Sequence, residues 1–556
     1  MKKIALTIII SILCLNVAPA LSQSDDQKRK PSPKSRLELP DVLVVGTDTQ
    51  IRVTGLKLSV PGDHARLLPM ESSYKSYDLN SMINEQKGDV RTEISNRDDI
   101  HKYLLGYGSY NDVKAQFLRW QKLFALQYSV GAKFHQSDGQ YANSQFKSGE
   151  LNGKLSYNRR QRIRAETIAG YAFRDYGLQG SIFENHERKT RSVGMALRSQ
   201  FRGSQATFGS VDIHYNMFDL SNDSKLKLTP GEVEERTLAF SGQTFWTGSH
   251  LRISLKGSFL MNTINVLKES DQVDYISALI LKGNYKYSSN FSIMGGLHLN
   301  NISIENSDPQ TELMPFGKLI FSLKNRWGFY ISGSQEYIYQ TYLNVWRENN
   351  FISESFNRLA HNIEYKIDIG TELKLREDWL AKLNWKVQQI KNYPFFEPTF
   401  NSDSLKADGL YRYQYLNQVK QNTISFSVDF KVAPRFDIKG SLNYNAFNIS
   451  DDSLLFSDNR IPYIEDLNAE LDFAYTIFKN TKVKISATYF GDRKKHIERS
   501  EYLDQYVLLN AGIEKQYYQY ITLFAKLHNL LNYNYQIWDG YKEPGINFSC
   551  GIKGQW

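Results

Sequence analysis

The chain has 556 residues, a formal net charge of +9, and aromatic side chains at 13% of its positions. This length usually means two or more soluble domains, although large barrels are exceptions. Seven of the Lys and Arg residues and only two carboxylates lie in residues 1–37, so the rest of the chain is nearly balanced. The charge therefore does not predict a nucleic-acid partner.

The first predicted element is a secretory signal over residues 1–22. Lys2 and Lys3 precede an apolar run at 4–15, and Ala18-Pro19-Ala20 follows with small residues at cleavage spacing. Such a run is too short for a spanning helix and is typical of a signal peptide. A basic linker rich in Pro and Ser is expected at 23–36.

Cysteine usage limits the chemistry of the exported chain. Cys14 lies within the signal, so the mature chain keeps only Cys550. One cysteine cannot form an internal disulfide, and a cysteine-ligated metal site is excluded.

Alternation of apolar and polar residues dominates from about residue 101 onward, and many alternating runs exceed ten residues. In one run Phe124, Leu126, Tyr128 and Val130 alternate with Ala125, Gln127, Ser129 and Gly131. Strands of soluble sheets are usually shorter, whereas a tilted strand that crosses a bilayer needs this length. The pattern predicts an all-β chain: a transmembrane antiparallel β-barrel over 101–556. A large soluble β-propeller or sandwich is the alternative fold.

Connections between these runs alternate between tight and long. Gly203-Ser204 and Ser289-Asn290 are tight, whereas 221–232 and 348–355 are long and polar. Bacterial outer-membrane barrels have short periplasmic turns and long outer loops. Counting runs between turns predicts about 22 strands in the cell outer membrane, with outer-membrane lipid as the surrounding partner.

The last run alternates up to an aromatic residue at the chain end. Phe548, Ile552 and Trp556 lie on its apolar face. This terminal strand resembles the signal by which the barrel-assembly machinery recognises outer-membrane proteins, which implies that machinery as a partner.

Two segments resemble TonB-dependent receptors. Near the end, Asn529-Leu530-Leu531-Asn532-Tyr533-Asn534-Tyr535, then Gly540-Tyr541 and Pro544-Gly545-Ile546-Asn547-Phe548, resembles that family's penultimate strand, last loop and final strand. Near the start, Gly106-Tyr107-Gly108-Ser109-Tyr110-Asn111 resembles its first barrel strand. The resemblance covers roughly 101–556 and implies a transport barrel.

The segment before the barrel departs from that family. Only about 80 residues separate the signal from residue 101, whereas the family carries a longer plug domain. We expect 37–100 to be a short plug-like or tether segment, with a β-hairpin at 37–60 and a polar tether at 61–100. No TonB box is identified, so coupling to TonB is not predicted, and a periplasmic or luminal plug partner stays open.

Catalytic and metal motifs are not found in the sequence. His135, His214, His361 and His496 occur singly, without a nucleophile or carboxylate at a recognisable spacing. The sequence therefore predicts no enzyme, no cofactor, no catalytic residue and no metal site.

An aromatic stretch is the candidate ligand-contact loop. Its residues are Tyr393, Phe395, Phe396 and Phe400, together with Trp346. Clustered aromatic rings can stack on a sugar, a chelate or a protein. The alternative is an aromatic girdle continued into a loop, because Tyr and Trp concentrate at membrane interfaces.

A barrel of this size has a wide lumen that needs occlusion. The favoured function is solute transport with a reduced or separately supplied plug, the lumen being closed by the N-terminal segment, infolded loops or a partner. The alternatives are a passive porin and a non-transport scaffold or binding protein. The substrate is not predicted.

Overall fold

The structure is a computed structural model that describes residues 99–556 apart from short gaps. The gaps are 160–162, 181–186, 204–205, 224–231, 267–270, 306–307, 324–325, 357–358, 377, 401–406, 434, 451–457 and 479. The predicted signal, linker, hairpin and most of the tether therefore lie outside the described residues.

The described chain is almost entirely strand. The first half contains β1 (Asp99–Gly108), β2 (Val113–Leu123), β3 (Leu126–Ser137), β4 (Phe146–Arg159), β5 (Ile163–Gly177), β6 (Glu187–Arg202), β7 (Thr207–Asp223), β8 (Glu232–Thr247), β9 (Leu251–Val266), β10 (Asp271–Lys286), β11 (Phe291–Ser303), β12 (Gln310–Leu323) and β13 (Trp327–Ile338). The second half contains β14 (Ile352–Phe356), β15 (His361–Arg376), β16 (Trp379–Phe400), β17 (Ala407–Ala433), β18 (Phe436–Ser450), β19 (Leu467–Phe478), β20 (Thr481–Phe490), β21 (Arg493–Lys494), β22 (Tyr502–Leu503), β23 (Tyr506–Tyr518), β24 (Ile521–His528), β25 (Gln536–Trp538), β26 (Tyr541–Lys542) and β27 (Asn547–Gln555). A 3₁₀ turn, Ser109–Asn111, and one α-helix, α1 (Tyr342–Glu348), complete the described elements.

Twenty-two of these strands form one closed antiparallel barrel; β14, β21, β22, β25 and β26 belong to its loops. Barrel neighbours follow one another along the chain, and β1 closes the barrel on β27 with Lys102 opposite Gln555 and Gly108 opposite Ser549. The predicted class and count are confirmed. Closure leaves no free strand edge for aggregation.

Alternation places apolar side chains outside. On β10, Tyr275, Leu279 and Leu281 are 45–49% exposed, whereas Asp274, on the opposite face, is fully buried. An apolar belt around the whole circumference would cause aggregation in water and is stable in lipid. The fold is thus a transmembrane barrel of the outer-membrane type. No helix in the described part of the chain is long and apolar enough to span a membrane.

The two ends of the barrel differ as the connections predict. At one end the strands are joined by tight turns such as Phe124-Ala125, where Phe124 has a φ of +55° and a fully solvent-exposed ring. At the other end lie the long connections, which include 339–360, 491–505 and 529–546. The short-turn end is the periplasmic one in such barrels.

The two segments that resemble TonB-dependent receptors meet at the seam where the barrel closes. The Phe548 amide donates to Ser109 Oγ at 3.0 Å. Asn529, at a φ of +51°, donates from Nδ2 to the carbonyls of Tyr533 and Pro544 at 2.8 and 3.1 Å, which shapes the start of the last loop. These motifs therefore have a structural reason, the joining of the first strand to the last.

The predicted assembly signal lies on the outer surface of the seam. Phe548 and Trp556 are 42% and 49% exposed, and Ile552 lies between them on the same face of β27. The Trp556 ring stacks on His101 with 5.3 Å between centroids. Recognition by the assembly machinery stays a prediction.

Candidate functional site

The connection between β13 and β15 folds inward at the long-loop end. Its helix α1 begins after Thr341, whose Oγ1 accepts a hydrogen bond from the Asn344 amide at 3.2 Å. Capping of this kind satisfies an amide that the first helical turn leaves unpaired. Tyr342 and Val345 are fully buried, and a helix of seven residues is too short to be stable alone, so α1 depends on tertiary contacts.

The helix packs on the inner faces of β5 to β9. Its apolar partners there are Tyr176, Phe218, Leu220, Val233 and Ile264, all buried. The same apolar cluster continues to Phe396 on β16, Tyr411 on β17, Tyr463, and Trp538 on β25. Because β16 and β17 lie almost opposite β7 in the strand order, the cluster crosses the barrel. We call residues 339–356 and these contacts the outer loop cluster.

A buried carboxylate anchors the first turn of α1. Glu235 on β8 is 1% exposed and accepts from the amides of Tyr342 and Leu343 at 2.7 and 2.8 Å. Asn262 Nδ2 on β9 donates to the same carboxylate at 2.9 Å. Amides at a helix start favour an anion, so the helix itself compensates the burial of this charge.

The anchor extends to β10 through a tyrosine. The Tyr339 hydroxyl donates to Asp274 Oδ2 at 2.5 Å and accepts from Asn262 Nδ2 at 3.0 Å. Burial, and then the Asp274 charge, raise the pKa of Tyr339, so the phenol keeps its proton. Three neighbouring strands therefore hold the entry to the loop.

A buried arginine holds the other side of the loop. Arg188 on β6 is fully buried and donates to the carbonyls of Asn350 and Ile352 at 3.2 and 2.6 Å. It also donates to Asn222 Oδ1 at 2.8 Å and to Glu354 at 3.0 Å. The planar guanidinium fork suits such convergent acceptors better than an ammonium would.

The last loop of the barrel completes the cluster. Tyr541 stacks on Phe351 with 3.5 Å between ring centroids and donates from its hydroxyl to the Gly409 carbonyl at 2.6 Å. The Tyr411 hydroxyl donates to the Asp539 carbonyl at 2.9 Å. Segments far apart in sequence are thus joined into one closure at the long-loop end.

The predicted ligand-contact aromatics lie inside this closure. Tyr393, Phe395 and Phe396 are 0–5% exposed, and Trp346 is 8% exposed. The stretch continues β16 rather than forming a free loop, and the Phe400 side chain lies outside the described ones. Trp346 and Phe396 share the large cluster, whereas Tyr393 and Phe395 belong to a second one. Their role in binding stays a prediction.

Two of the four single histidines, His135 and His496, lie beside a carboxylate in the fold. His135 Nε2 lies 3.0 Å from Asp112 Oδ2, and His496 Nδ1 lies 3.5 Å from Glu397. Within the described ranges, no group of three or more His, Cys, Asp or Glu side chains is arranged to hold a metal ion.

A cavity of about 320 Å³ lies between the outer loop cluster and the seam of the barrel. Phe351 and Tyr541 line it on the loop side, and Asp112, Lys114 and His528 on the strand side. A smaller cavity of about 100 Å³ shares Lys114, His135, Phe146 and Arg174 with it. We call the two together the seam cavity.

The anchoring residues and the seam cavity were not identified from the sequence. Arg188, Glu235 and Asp274 fall on the polar face of their strands, which alternation assigns to the water-filled lumen. The sequence around these residues does not distinguish them from solvated charges, because they are buried only by the infolded loop. Their position near long loops is the sole signal that the sequence carries.

Comparison with solved structures gives many matches to the barrel. The copper transporter OprC aligns with a TM-score of 0.67 and 12% identity, over 82% of this chain and 80% of that one. The FrpB iron transporter from Neisseria meningitidis aligns with a TM-score of 0.67 and 10% identity, over 83% of this chain and 82% of that one. The ferric-catecholate import receptor Fiu from E. coli K12 aligns with a TM-score of 0.65 and 11% identity, over 83% of this chain and 82% of that one.

Sequence comparisons give no match, either to a family model or to a curated protein. At these identities the structural likeness concerns the fold alone. Those three proteins are named as transporters and an import receptor. The resemblance to the barrel of TonB-dependent receptors, predicted from the two ends of the chain, is confirmed at the level of the fold.

Proposed function

We propose that this chain transports a solute across the outer membrane, and that its own outer loop cluster closes the lumen at the long-loop end. The observation that carries the proposal is the docking of the 339–356 connection against β5 to β9, with Glu235 holding the start of α1 and Arg188 holding the segment that follows it. A passive porin has no need of a buried closure of this kind.

The fold supports transport, because the aligned barrels belong to proteins named as transporters and import receptors. We further propose that any plug is reduced to residues 37–98 or supplied by another protein, since β1 begins at Asp99. TonB would act on such a plug, so its involvement is a separate question from the loop closure.

Planar-bilayer conductance of the purified mature chain tests the closure. The variants are one in which 340–355 is replaced by a short Gly-Ser linker and one that lacks 37–98. We expect the full chain to be silent, the loop variant to show steady openings, and the N-terminal deletion to change the conductance only if that segment also occludes the lumen.

Other outcomes favour the alternative functions. Steady openings of the full chain would indicate a porin and contradict the closure. Silence of all three proteins, with a stoichiometric partner after mild extraction, would indicate a scaffold. The matched control is the double variant Leu251→Ala and Arg252→Ala, at the start of β9. It leaves the outer loop cluster intact, so we expect it to show no openings, like the unaltered chain.

A further inference from the structure

We propose that the seam cavity binds a small organic anion with two or more negative groups, and that lysines below it guide that anion along the seam. The inference rests on the proposed transport function, because the occupant of a lumen cavity in a transport barrel is its solute.

Charge gives the first argument. Five Lys and Arg side chains line the seam cavity, against three carboxylates. The cations are Lys114, Lys133, Arg174, Arg347 and Lys542. His135 and His528 add ring N–H donors. A concave site with this excess attracts an anion and offers it several charge-assisted hydrogen bonds.

Asp112 positions the cationic side without cancelling it. Its two oxygens lie 3.0 Å from His135 Nε2 and 3.4 Å from Lys114 Nζ. Lys114 keeps about a third of its side chain exposed to the lumen, so its remaining donors face the cavity. One carboxylate therefore fixes two donors, much as an outer partner orients the ligands of a binding site.

Shape and apolar lining point to an organic anion rather than to a bare inorganic ion. A volume of about 320 Å³ lies within the range of small-molecule sites. Phe351 and Tyr541, which stack on each other, and Phe146 supply aromatic surface in the same cavity. The cations would pair with the charged groups, and the rings would cover the carbon skeleton.

A row of lysines continues from the cavity towards the short-turn end. Lys526 precedes His528 by two residues on the same face of β24, and Lys553 lies nearer the short-turn end on the adjacent β27. Glu514 on β23 is shared by Lys553 at 2.9 Å and Lys484 at 3.4 Å. Lys553 lies opposite Thr522, four positions from Lys526, which is about 13 Å along the strand direction, so an anion would leave one ammonium group before it reaches the next.

The wall around β13 to β16 provides the contrast. There Lys366 pairs with Glu336 at 3.3 Å, and Lys382 pairs with Glu372 at 3.3 Å. Pairs of this kind solvate a lumen without favouring either sign of ion. On the seam, one carboxylate serves two lysines, which a purely solvating role does not require.

Equilibrium binding of citrate to the full mature chain in detergent tests the site, with the neutral ester triethyl citrate as the comparison. We expect saturable citrate binding and no binding of the ester. Lys114→Gln should weaken citrate binding about tenfold, the effect of one charged hydrogen bond. Lys256→Gln, a lumen lysine on β9, is the matched control and should bind like the unaltered chain.

Three results would overturn the site: absence of citrate binding, equal binding of the ester, or full affinity in Lys114→Gln. Folding of each variant is checked by the heat-dependent gel mobility of the barrel. Because Lys114 is partly exposed, its loss should not unfold the chain; Lys542→Gln, in the last loop, serves as a second site variant with the same expectation.

Citrate flux into proteoliposomes separates this inference from the proposed function. Because the unaltered chain is expected to be closed, Lys526→Gln is introduced into the loop variant, where it should slow citrate flux several-fold. In the full chain the same substitution should leave citrate affinity unchanged, because Lys526 lies below the site. Unchanged flux in this variant would overturn the guiding role. If citrate binds but no protein, including the loop variant, gives flux, only the proposed transport function is contradicted. If other solutes pass but citrate does not bind, only the anion site is contradicted.

Discussion

The two halves of the lumen at its long-loop end are built in opposite ways. Against β5 to β9 the infolded loop packs on buried apolar side chains, and its charged anchors, Glu235 and Arg188, are almost fully buried. Along the seam, Lys114 and His528 face an open cavity. The strands on both sides follow the same alternation, so the difference comes from the loops.

The comparison separates two uses of charge in one barrel. A buried charge with several fixed partners holds a segment in place, and its loss leaves those partners unsatisfied. A half-exposed charge beside a cavity costs little to keep and remains available to a ligand. Substitutions on the two sides should therefore have different effects, on loop docking in one case and on ligand affinity in the other.

Arg188→Met should give the largest loss of loop docking. It removes the donors to the Asn350 and Ile352 carbonyls and leaves Glu354 without its ion pair. Loss of one partner of a buried pair costs about 3–5 kcal/mol. Hydrogen exchange in 339–356 should accelerate by about a hundredfold or more.

The control for this variant is Arg198→Met, on the same strand and the same face but deeper in the barrel. Arg198 is partly exposed and its ion pair with Asp212 spans 3.7 Å. In Arg198→Met, the rate of hydrogen exchange in residues 339–356 should equal that of the unaltered chain. Equal exchange in Arg188→Met as well would show that this arginine does not hold the loop.

Glu235→Ala should have the next largest effect. It leaves the amides of Tyr342 and Leu343 and the Asn262 side chain without their acceptor. Unsatisfied buried donors cost about 1–3 kcal/mol. In bilayers we expect brief openings, because the start of α1 is released while Arg188 still holds 350–354.

Glu235→Gln distinguishes the charge from the shape, since it keeps one acceptor oxygen and should open less often than Glu235→Ala. Glu372→Gln is the control, as this buried lumen carboxylate pairs with Lys382 on the neighbouring strand. If Glu372→Gln opens as often as Glu235→Gln, loss of any lumen carboxylate has the same result. Glu235 would then not be a specific anchor of the loop.

Tyr541→Phe should have a smaller effect on the last loop. The ring keeps its stack on Phe351, and only the 2.6 Å hydrogen bond to the Gly409 carbonyl is lost. One such bond contributes about 1 kcal/mol. The rate of hydrogen exchange in residues 536–542 should rise about fivefold in Tyr541→Phe. The control Tyr275→Phe, on the lipid-facing side of the barrel, should leave this rate unchanged. A hundredfold rise would indicate that the hydroxyl has a further role.

Much of the barrel could be predicted from sequence, because every strand obeys one physical rule. Lipid on one face and water on the other impose alternation along β3 or β17 without reference to distant residues. The terminal motifs were also recognisable, and the structure gives them a role: Ser109 accepts from the Phe548 amide where the first strand meets the last, and Asn529 shapes the last loop.

The closure and the cavity could not be predicted, because both depend on contacts between distant segments. Helix α1 has seven residues, too few for a helical period to be recognised in the sequence. Lys114 and His528 are over four hundred residues apart and meet only when the barrel closes. The aromatics at 393–396 were predicted as a ligand-contact loop, and no sequence rule indicates that Tyr393 is buried.

Asp458 provides the smallest and most selective change, since it stabilises one outer loop in a pH-dependent way. It accepts from Lys494 Nζ at 2.6 Å and from the Tyr502 hydroxyl. Burial opposes the ionisation of Asp458, but these hydrogen bonds and the Lys494 charge outweigh it and lower its pKa below 3.8.

A carboxyl with a lowered pKa stabilises the folded loop above its unfolded pKa and loses that contribution as the pH falls through the folded value. Loop stability at 493–503 should therefore decline below about pH 4 in the unaltered chain. Asp458→Asn should lose at most about 1 kcal/mol at pH 7, since the pair is partly exposed, and should differ little from the unaltered chain at pH 3. Exchange rates of 493–503, each normalised to the intrinsic rate at that pH, measure this. If the exchange rates of the two proteins differ by the same factor at pH 7 and at pH 3, the charge of Asp458 does not hold the loop. The effect of Asp458→Asn would then come from the different shape and hydrogen bonding of the amide.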